Sequence, residues 1–144
     1  MSGDLVVLDT DVWSHLYGVK GRSHADAARW RALLTGKTMA IASQTRAEVL
    51  VWILLGRLGD SRAGRIRMQL DMTATVPVDE AIIQRYARLI ADARARGDAL
   101  WAREHTADRW VAATALAIDA PSLAIDQIYR NDPDLLLLGQ EGRG

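Results

Sequence analysis

The sequence contains no cysteine among its 144 residues. This absence excludes a disulfide framework, a thiolate zinc site and a cysteine nucleophile, so a cytoplasmic location is the default expectation. The chain also lacks an apolar run long enough to cross a membrane, and an acid precedes the short apolar run near its start. We therefore expect neither a signal peptide nor a membrane anchor, and we interpret residues 5–9 as a first strand.

Lysine is scarce in this chain. Lys20 and Lys37 are the only lysines among 18 basic residues, and the rest are arginines. Aspartate and glutamate together also number 18, so the formal net charge is zero. A balanced charge argues against nonspecific coating of nucleic acid, although it permits a local basic rim.

The apolar residues predict a single α/β domain over residues 1–138, with 139–144 as a frayed tail. Hydrophobic residues make up 49% of the chain and charged residues 25%, as in ordinary globular proteins. Short apolar runs alternate with helical patterns, which predicts a three-layer α/β/α sandwich around a mostly parallel sheet of about five strands. The predicted strands are 5–9, 39–43, 74–78, 122–126 and 135–138; the predicted helices are 24–35, 45–58, 60–72, 79–96 and 106–119.

Four acids occupy positions where a parallel sheet places ligands. Asp9 and Asp126 follow the first and fourth predicted strands, whereas Glu48 and Asp108 open predicted helices. Ligands of open parallel sheets bind at the carboxyl ends of the strands, near the point where the strand order reverses. If strands one and four are neighbours, all four acids face one crevice.

Such a crevice needs a positive charge. Two carboxylates about 4 Å apart repel each other by roughly 4 kcal/mol at an effective dielectric constant near 20. No lysine follows Lys37, so either an arginine or a hard divalent cation has to offset the acids, and all-oxygen ligands favour Mg²⁺ or Mn²⁺. The chemistry indicated is hydrolysis of a phosphodiester by metal-activated water.

Two of the acids also have a purely structural interpretation. Glu48 lies three residues after Thr45 and fits a capping box, in which it would accept a hydrogen bond from the Thr45 backbone. Asp108 lies two residues after Thr106, where an acid stabilises a helix N-terminus.

Three motifs in order resemble the PIN-domain ribonucleases, and among these the VapC-type toxins of bacterial toxin–antitoxin pairs. The motifs are Val7-Leu8-Asp9-Thr10-Asp11-Val12-Trp13, Ser43-Gln44-Thr45-Arg46-Ala47-Glu48-Val49 and Ala107-Asp108-Arg109-Trp110-Val111-Ala112-Ala113-Thr114-Ala115-Leu116. Together with Asp126 they match the family's order and spacing over nearly the whole chain.

The resemblance implies a Mg²⁺- or Mn²⁺-dependent endoribonuclease toxin that cuts transfer or ribosomal RNA. It implies that the acidic quartet of the family corresponds to Asp9, Glu48, Asp108 and Asp126. It also implies a homodimer and a cognate VapB-like antitoxin. The chain departs from the family at its fourth strand: Ala124 replaces a polar residue and Ile128 replaces a further acid. Asp132 or Asp134 could substitute for that acid, but the surrounding sequence predicts an ordinary turn.

Two other functions compete with this one. Asp9 and Asp11 fit the Asp-x-Asp-x-Val motif of haloacid-dehalogenase-like phosphatases, but that chemistry requires a lysine after Ser43, and both lysines precede it. An inactive PIN-fold binding module is the second alternative, favoured by Ala124 and Ile128.

The remaining candidates are assigned supporting roles. Thr10 and Asp11 are expected beside the metal ligands, where they could orient Asp9. Arg103 and Arg109 flank Asp108 and could hold RNA phosphates. Trp13, Trp52 and Trp110 are expected in the core, and Trp30 and Trp101 at a dimer or antitoxin surface.

Overall fold

A computed structural model of the chain describes residues 4–19, 24–98, 106–124 and 132–139. The strands are β1 (Leu5–Leu8), β2 (Thr38–Ala42), β3 (Ala74–Val76) and β4 (Ser122–Leu123). The helices are α1 (Thr10–Leu16), α2 (Ala27–Leu34), α3 (Ser43–Leu54), α4 (Asp60–Met72), α5 (Glu80–Arg96) and α6 (Thr106–Ala117). In these ranges, no helix is long and apolar enough to cross a membrane.

The described strands form one parallel sheet in the order β3-β2-β1-β4. Strands one and four are therefore neighbours, as the acid positions required. The fifth predicted strand contributes a single parallel bridge, between Ser122 and Leu137. The sheet is thus slightly smaller than the predicted five strands, but its class and its central pair are as expected.

Helices cover the sheet on both faces, which buries three of the four residues of β1. Val6 and Leu8 pack into a cluster with α1, α2, α3 and α4, whereas Val7 packs into a second cluster with α5 and α6. All three side chains have no solvent exposure. Alternate residues of a strand point to opposite faces, so the continuous apolar run is explained by burial on both sides. The three-layer prediction is confirmed.

Helix α5 has the clearest local signals in the chain. The Asp79 side chain accepts a hydrogen bond from the backbone N–H of Ile82 at 2.9 Å and caps the first turn. Gly97 ends the helix with φ of 73°, a left-handed conformation that favours glycine. The predicted limits, 79–96, differ from the observed helix by one residue.

The structure corrects three predictions on elements and surfaces. Trp30 is 2% exposed and belongs to the core, because α2 turns it towards the sheet. The prediction that Trp30 lies at a dimer or antitoxin surface is therefore wrong. Residues 45–58 are mostly apolar, which predicts a central helix; α3 is less central, since Leu54 and Leu55 are exposed. The short helix α1 was not among the predicted helices. Trp101 and residues 140–144 of the predicted tail lie outside the described residues.

Candidate active site at the carboxyl edge of the sheet

Asp9 lies where β1 meets α1. Its backbone N–H donates to the carbonyl of Leu123 at 2.9 Å, so β1 and β4 end side by side. Its Oδ1 atom accepts a hydrogen bond from the Thr10 N–H at 2.7 Å, which makes Asp9 the N-cap of α1. The residue is 3% exposed. A carboxylate that is this buried is retained at a cost in desolvation, and α1 offsets part of that cost through its N-terminal dipole.

Thr10 connects this strand end with α3. Its hydroxyl lies 2.8 Å from the hydroxyl of Thr45, and both residues are buried. A side-chain hydrogen bond from Thr10 also acts on the Glu48 carboxylate. Thr10 therefore links the segment that carries Asp9 to the helix that carries Glu48.

Glu48 is the acid whose environment is most informative. Its pKa is raised above the ordinary value, chiefly by burial and further by the negative charges of Asp108 and Asp11. Hydrogen bonds from Gln44 and Thr10 lower the pKa and offset part of this effect. The two neighbouring acids come from different segments of the chain, so the fold has brought Glu48, Asp108 and Asp11 close enough to interact.

The capping-box interpretation of Glu48 is wrong. Helix α3 begins at Ser43 with Ala42 as its N-cap, which places Thr45 inside the helix. The Thr45 hydroxyl pairs with Thr10, and the Glu48 Oε1 atom accepts from the Gln44 Nε2 atom at 3.4 Å. Glu48 is therefore free of a capping role and faces the acids.

Asp108 lies in the first turn of α6 and is half-buried. This helix is held against α5 by aromatic packing, with the rings of Tyr86 and Trp110 stacked at a centroid distance of 4.0 Å. Arg109 is 6% exposed, and its guanidinium donates to the Tyr86 hydroxyl at 3.2 Å and the Thr106 hydroxyl at 3.0 Å. Arg109 thus positions the start of α6.

Two predicted site residues, Asp126 and Arg103, lie outside the described residues. Asp132 is described: its Oδ1 atom accepts from the backbone N–H groups of Asp134 and Leu135, at 2.9 and 3.2 Å, in the predicted turn. Its other oxygen lies 3.9 Å from Arg96 at the end of α5.

The donor atoms present suit a hard divalent cation. They are the carboxylate oxygens of Glu48, Asp108 and Asp11, which interact electrostatically, and those of Asp9 at the end of β1. Burial, and after it the charges of Asp108 and Asp11, raise the pKa of Glu48, and a cation would relieve the repulsion between these acids. Among the described residues, no group of three or more acidic or histidine side chains is already close enough to hold a metal ion. The predicted set has a fourth member, Asp126, outside those residues.

Two contacts of the site are not among those predicted from the sequence. Gln44 is hydrogen-bonded to Glu48, and Thr45 is hydrogen-bonded to Thr10. Gln44 could have been found from its spacing, because residues four apart on a helix are neighbours. Thr45 could not, since its partner lies 35 residues away in the chain.

These features define a class: a parallel α/β domain with carboxylates gathered where the central strands end. The chain belongs to the PIN-domain family, whose model matches residues 6–134. Because the chain belongs to this family, the haloacid-dehalogenase-like phosphatase is no longer an alternative. A comparison with curated proteins found no match.

Three solved structures share the fold. A chain of VapBC2 from Rickettsia felis, bound to a DNA fragment from its promoter, aligns with a TM-score of 0.74 and 16% identity over 92% of this chain and 96% of that chain. A chain of VapBC-1 from nontypeable Haemophilus influenzae aligns with a TM-score of 0.70 and 19% identity over the same shares, 92% and 96%. A chain of FitAcB from Neisseria gonorrhoeae aligns with a TM-score of 0.66 and 21% identity over 84% of this chain and 87% of that chain.

Proposed function

We propose that this protein is a metal-dependent endoribonuclease, the toxin of a VapBC-like toxin–antitoxin pair. The observation that carries the proposal is the electrostatic contact of Glu48 with Asp108 and Asp11, three acids from three segments of a PIN domain. The order of the motifs and the likeness to VapBC and FitAB structures support the toxin assignment.

The proposed metal ligands are Asp9, Glu48, Asp108 and Asp126, and the proposed ion is Mg²⁺ or Mn²⁺. When bound, such an ion supplies Lewis acidity, which makes water a better nucleophile near neutral pH and offsets charge on the scissile phosphate. Thr10 and Gln44 hold the Glu48 carboxylate through hydrogen bonds. The Tyr86–Arg109 contact holds the start of the helix that carries Asp108.

The proposed partners are RNA, an antitoxin and a second copy of the chain, acting in the cytoplasm. Exposed apolar side chains favour protein contacts, because large apolar residues at the surface mark interaction sites when they cluster. Three of them, Val51, Leu54 and Leu55, follow one another along the second half of α3 and are 51%, 82% and 54% exposed.

The direct test incubates the purified protein with transfer and ribosomal RNA in buffers containing Mg²⁺, Mn²⁺ or EDTA. We expect defined fragments with either ion and intact RNA with EDTA. Intact RNA in all three buffers would favour the inactive binding module instead. Fragments of equal yield in EDTA would contradict the metal assignment.

A cellular test addresses the toxin assignment. Expression of the wild-type chain alone should arrest growth, and co-expression of the small protein encoded next to it should restore growth. Normal growth under strong expression of soluble, RNA-cleaving protein would contradict the toxin assignment and leave the nuclease assignment standing.

A further inference from the structure

A cleft of about 440 Å³ opens between the start of α3 and α6, the helix that carries Asp108. Its apolar lining includes Ala47, Val78 and Trp110. The Trp110 ring stacks on the ring of Tyr86, with an angle of 19° between the two ring planes. The cleft therefore has a rigid aromatic wall.

The polar groups of the cleft connect it with the carboxylate site. The hydroxyls of Ser43 and Thr114 donate to main-chain carbonyls, those of Val76 and Trp110, at 2.8 and 2.7 Å. Gln44 also lines the cleft, and its amide donates to Glu48. One side chain thus borders both the cleft and a proposed metal ligand, and Trp110 lies two residues from Asp108.

We propose that this cleft binds an unpaired nucleobase next to the scissile phosphate, with Trp110 as its aromatic wall and Gln44 at its polar edge. The proposal rests on the proposed nuclease function. Single-stranded RNA is recognised by packing splayed bases against aromatic side chains and by hydrogen bonds to base edges. An apolar cleft with one amide group, linked through Gln44 to the proposed metal ligand Glu48, has the required chemistry.

The alternative occupant is a second copy of the chain. Val78 is 48% exposed, and the exposed apolar residues of α3 begin at Val51, one helical turn beyond Ala47. The nucleobase is favoured because Gln44 ties the cleft to Glu48, whereas Leu54 and Leu55, at 82% and 54%, are exposed further along the helix. The experiment separates the two occupants.

The test fills the cleft without disturbing the core. Ala47 is exposed on α3, so Ala47→Phe can place a ring in the cleft while the helix is retained; Ala95→Phe on the exposed side of α5 is the matched control. Binding of labelled single-stranded RNA 12-mers is measured by fluorescence anisotropy in EDTA, and cleavage of the same RNA is measured in Mn²⁺. RNAs with one abasic nucleotide at each position in turn complete the set.

We expect Ala47→Phe to weaken RNA binding about tenfold, which is the scale of losing one stacked base. One abasic position should weaken wild-type binding equally and should cause no further loss in Ala47→Phe. Ala95→Phe should behave as wild type. Unchanged binding in Ala47→Phe, or losses that add to those of every abasic RNA, would overturn the proposal.

The remaining outcomes distinguish the two proposals. Weaker binding in Ala47→Phe together with no metal-dependent cleavage by the wild type would support the base site and overturn the nuclease function. If light scattering shows that Ala47→Phe converts a dimer into a monomer, and no abasic position matters, the cleft takes a second copy and the base site is wrong.

Discussion

At the scale of single residues, Glu48 shows how the fold forces acids together. Burial and the charges of Asp108 and Asp11 raise its pKa. A native pKa above the unfolded one means that the native state holds the proton more tightly, so stability without metal is lost as the pH rises from the ordinary pKa through the native one. At neutral pH the ionised side chain therefore opposes folding, and a bound cation reverses this effect.

This argument predicts that Glu48→Gln stabilises the metal-free protein. Removing the charge should raise the melting temperature in EDTA at pH 7 by a few degrees, since roughly 1 kcal/mol shifts it by about 3–5 °C in a domain of this size. Mn²⁺ should raise the melting temperature of Glu48→Gln by much less than it raises that of the wild type. Differential scanning fluorimetry with and without Mn²⁺ measures both effects.

Glu80→Gln is the matched control, because Glu80 is exposed in the first turn of α5. It should leave the response to Mn²⁺ intact and slightly lower the melting temperature, since an acid at that end of a helix is favourable. A lower melting temperature for Glu48→Gln in EDTA would contradict the repulsion argument.

Asp9 provides a second prediction at this scale. Asp9→Asn retains an oxygen that can accept the Thr10 N–H, so the cap of α1 and the fold should persist. It removes one negative charge from the proposed metal site, and RNA cleavage should fall at least a hundredfold, roughly 3 kcal/mol of barrier. The cleavage rates in Mn²⁺ and the melting curves of Asp9→Asn are compared with those of Asp119→Asn, a change at an exposed acid. Wild-type cleavage by Asp9→Asn would remove Asp9 from the mechanism.

At the scale of elements, the pair α5 and α6 positions Asp108. The stacked rings of Tyr86 and Trp110 and the hydrogen bonds of Arg109 join the two helices. Buried residues of both helices, including Leu89 and Val111, share one apolar cluster. The acid is therefore presented by a packed helix start rather than by an isolated loop, and its placement depends on α5.

The cap of α5 tests how much the start of this helix contributes to the stability of the protein. Asp79→Ala removes the acceptor for the Ile82 N–H and should destabilise the protein by about 1 kcal/mol, whereas Asp79→Asn should retain most of the stability. Chemical denaturation measures both changes. Cleavage per folded molecule should stay within about threefold of wild type, since Asp79 touches none of the proposed ligands. Equal stability of Asp79→Ala and wild type would show that the cap contributes nothing.

Elements with strong local signals were predictable from the sequence, and those set by distant contacts were not. Helix α5 has an N-cap acid, a regular apolar face and a terminal glycine, so its limits were found within one residue. Helix α1 has only seven residues, and its stabilisation comes from burying Val12 and Trp13 in the core. Trp30 was misplaced for a similar reason, because polar sequence neighbours do not show which face of α2 meets the sheet.

At the scale of the whole molecule, the strand order determines where Asp9 lies. The neighbouring positions of β1 and β4 follow from the general rule for doubly wound sheets, so the place of Asp9 at the carboxyl end of a central strand could be predicted. The hydrogen bonds within the site could not be predicted in this way. The pairing of Thr10 with Thr45 depends on how two helices meet, which residue spacing does not encode.

The most direct test of the central claim is diffraction from crystals soaked in Mn²⁺, recorded for the anomalous signal of the ion. We predict one strong peak among the carboxylates of Asp9, Glu48, Asp108 and Asp126, and its loss in crystals of Asp9→Asn. A fully occupied Mn²⁺ site elsewhere in the molecule, together with no peak between these side chains, would contradict the account.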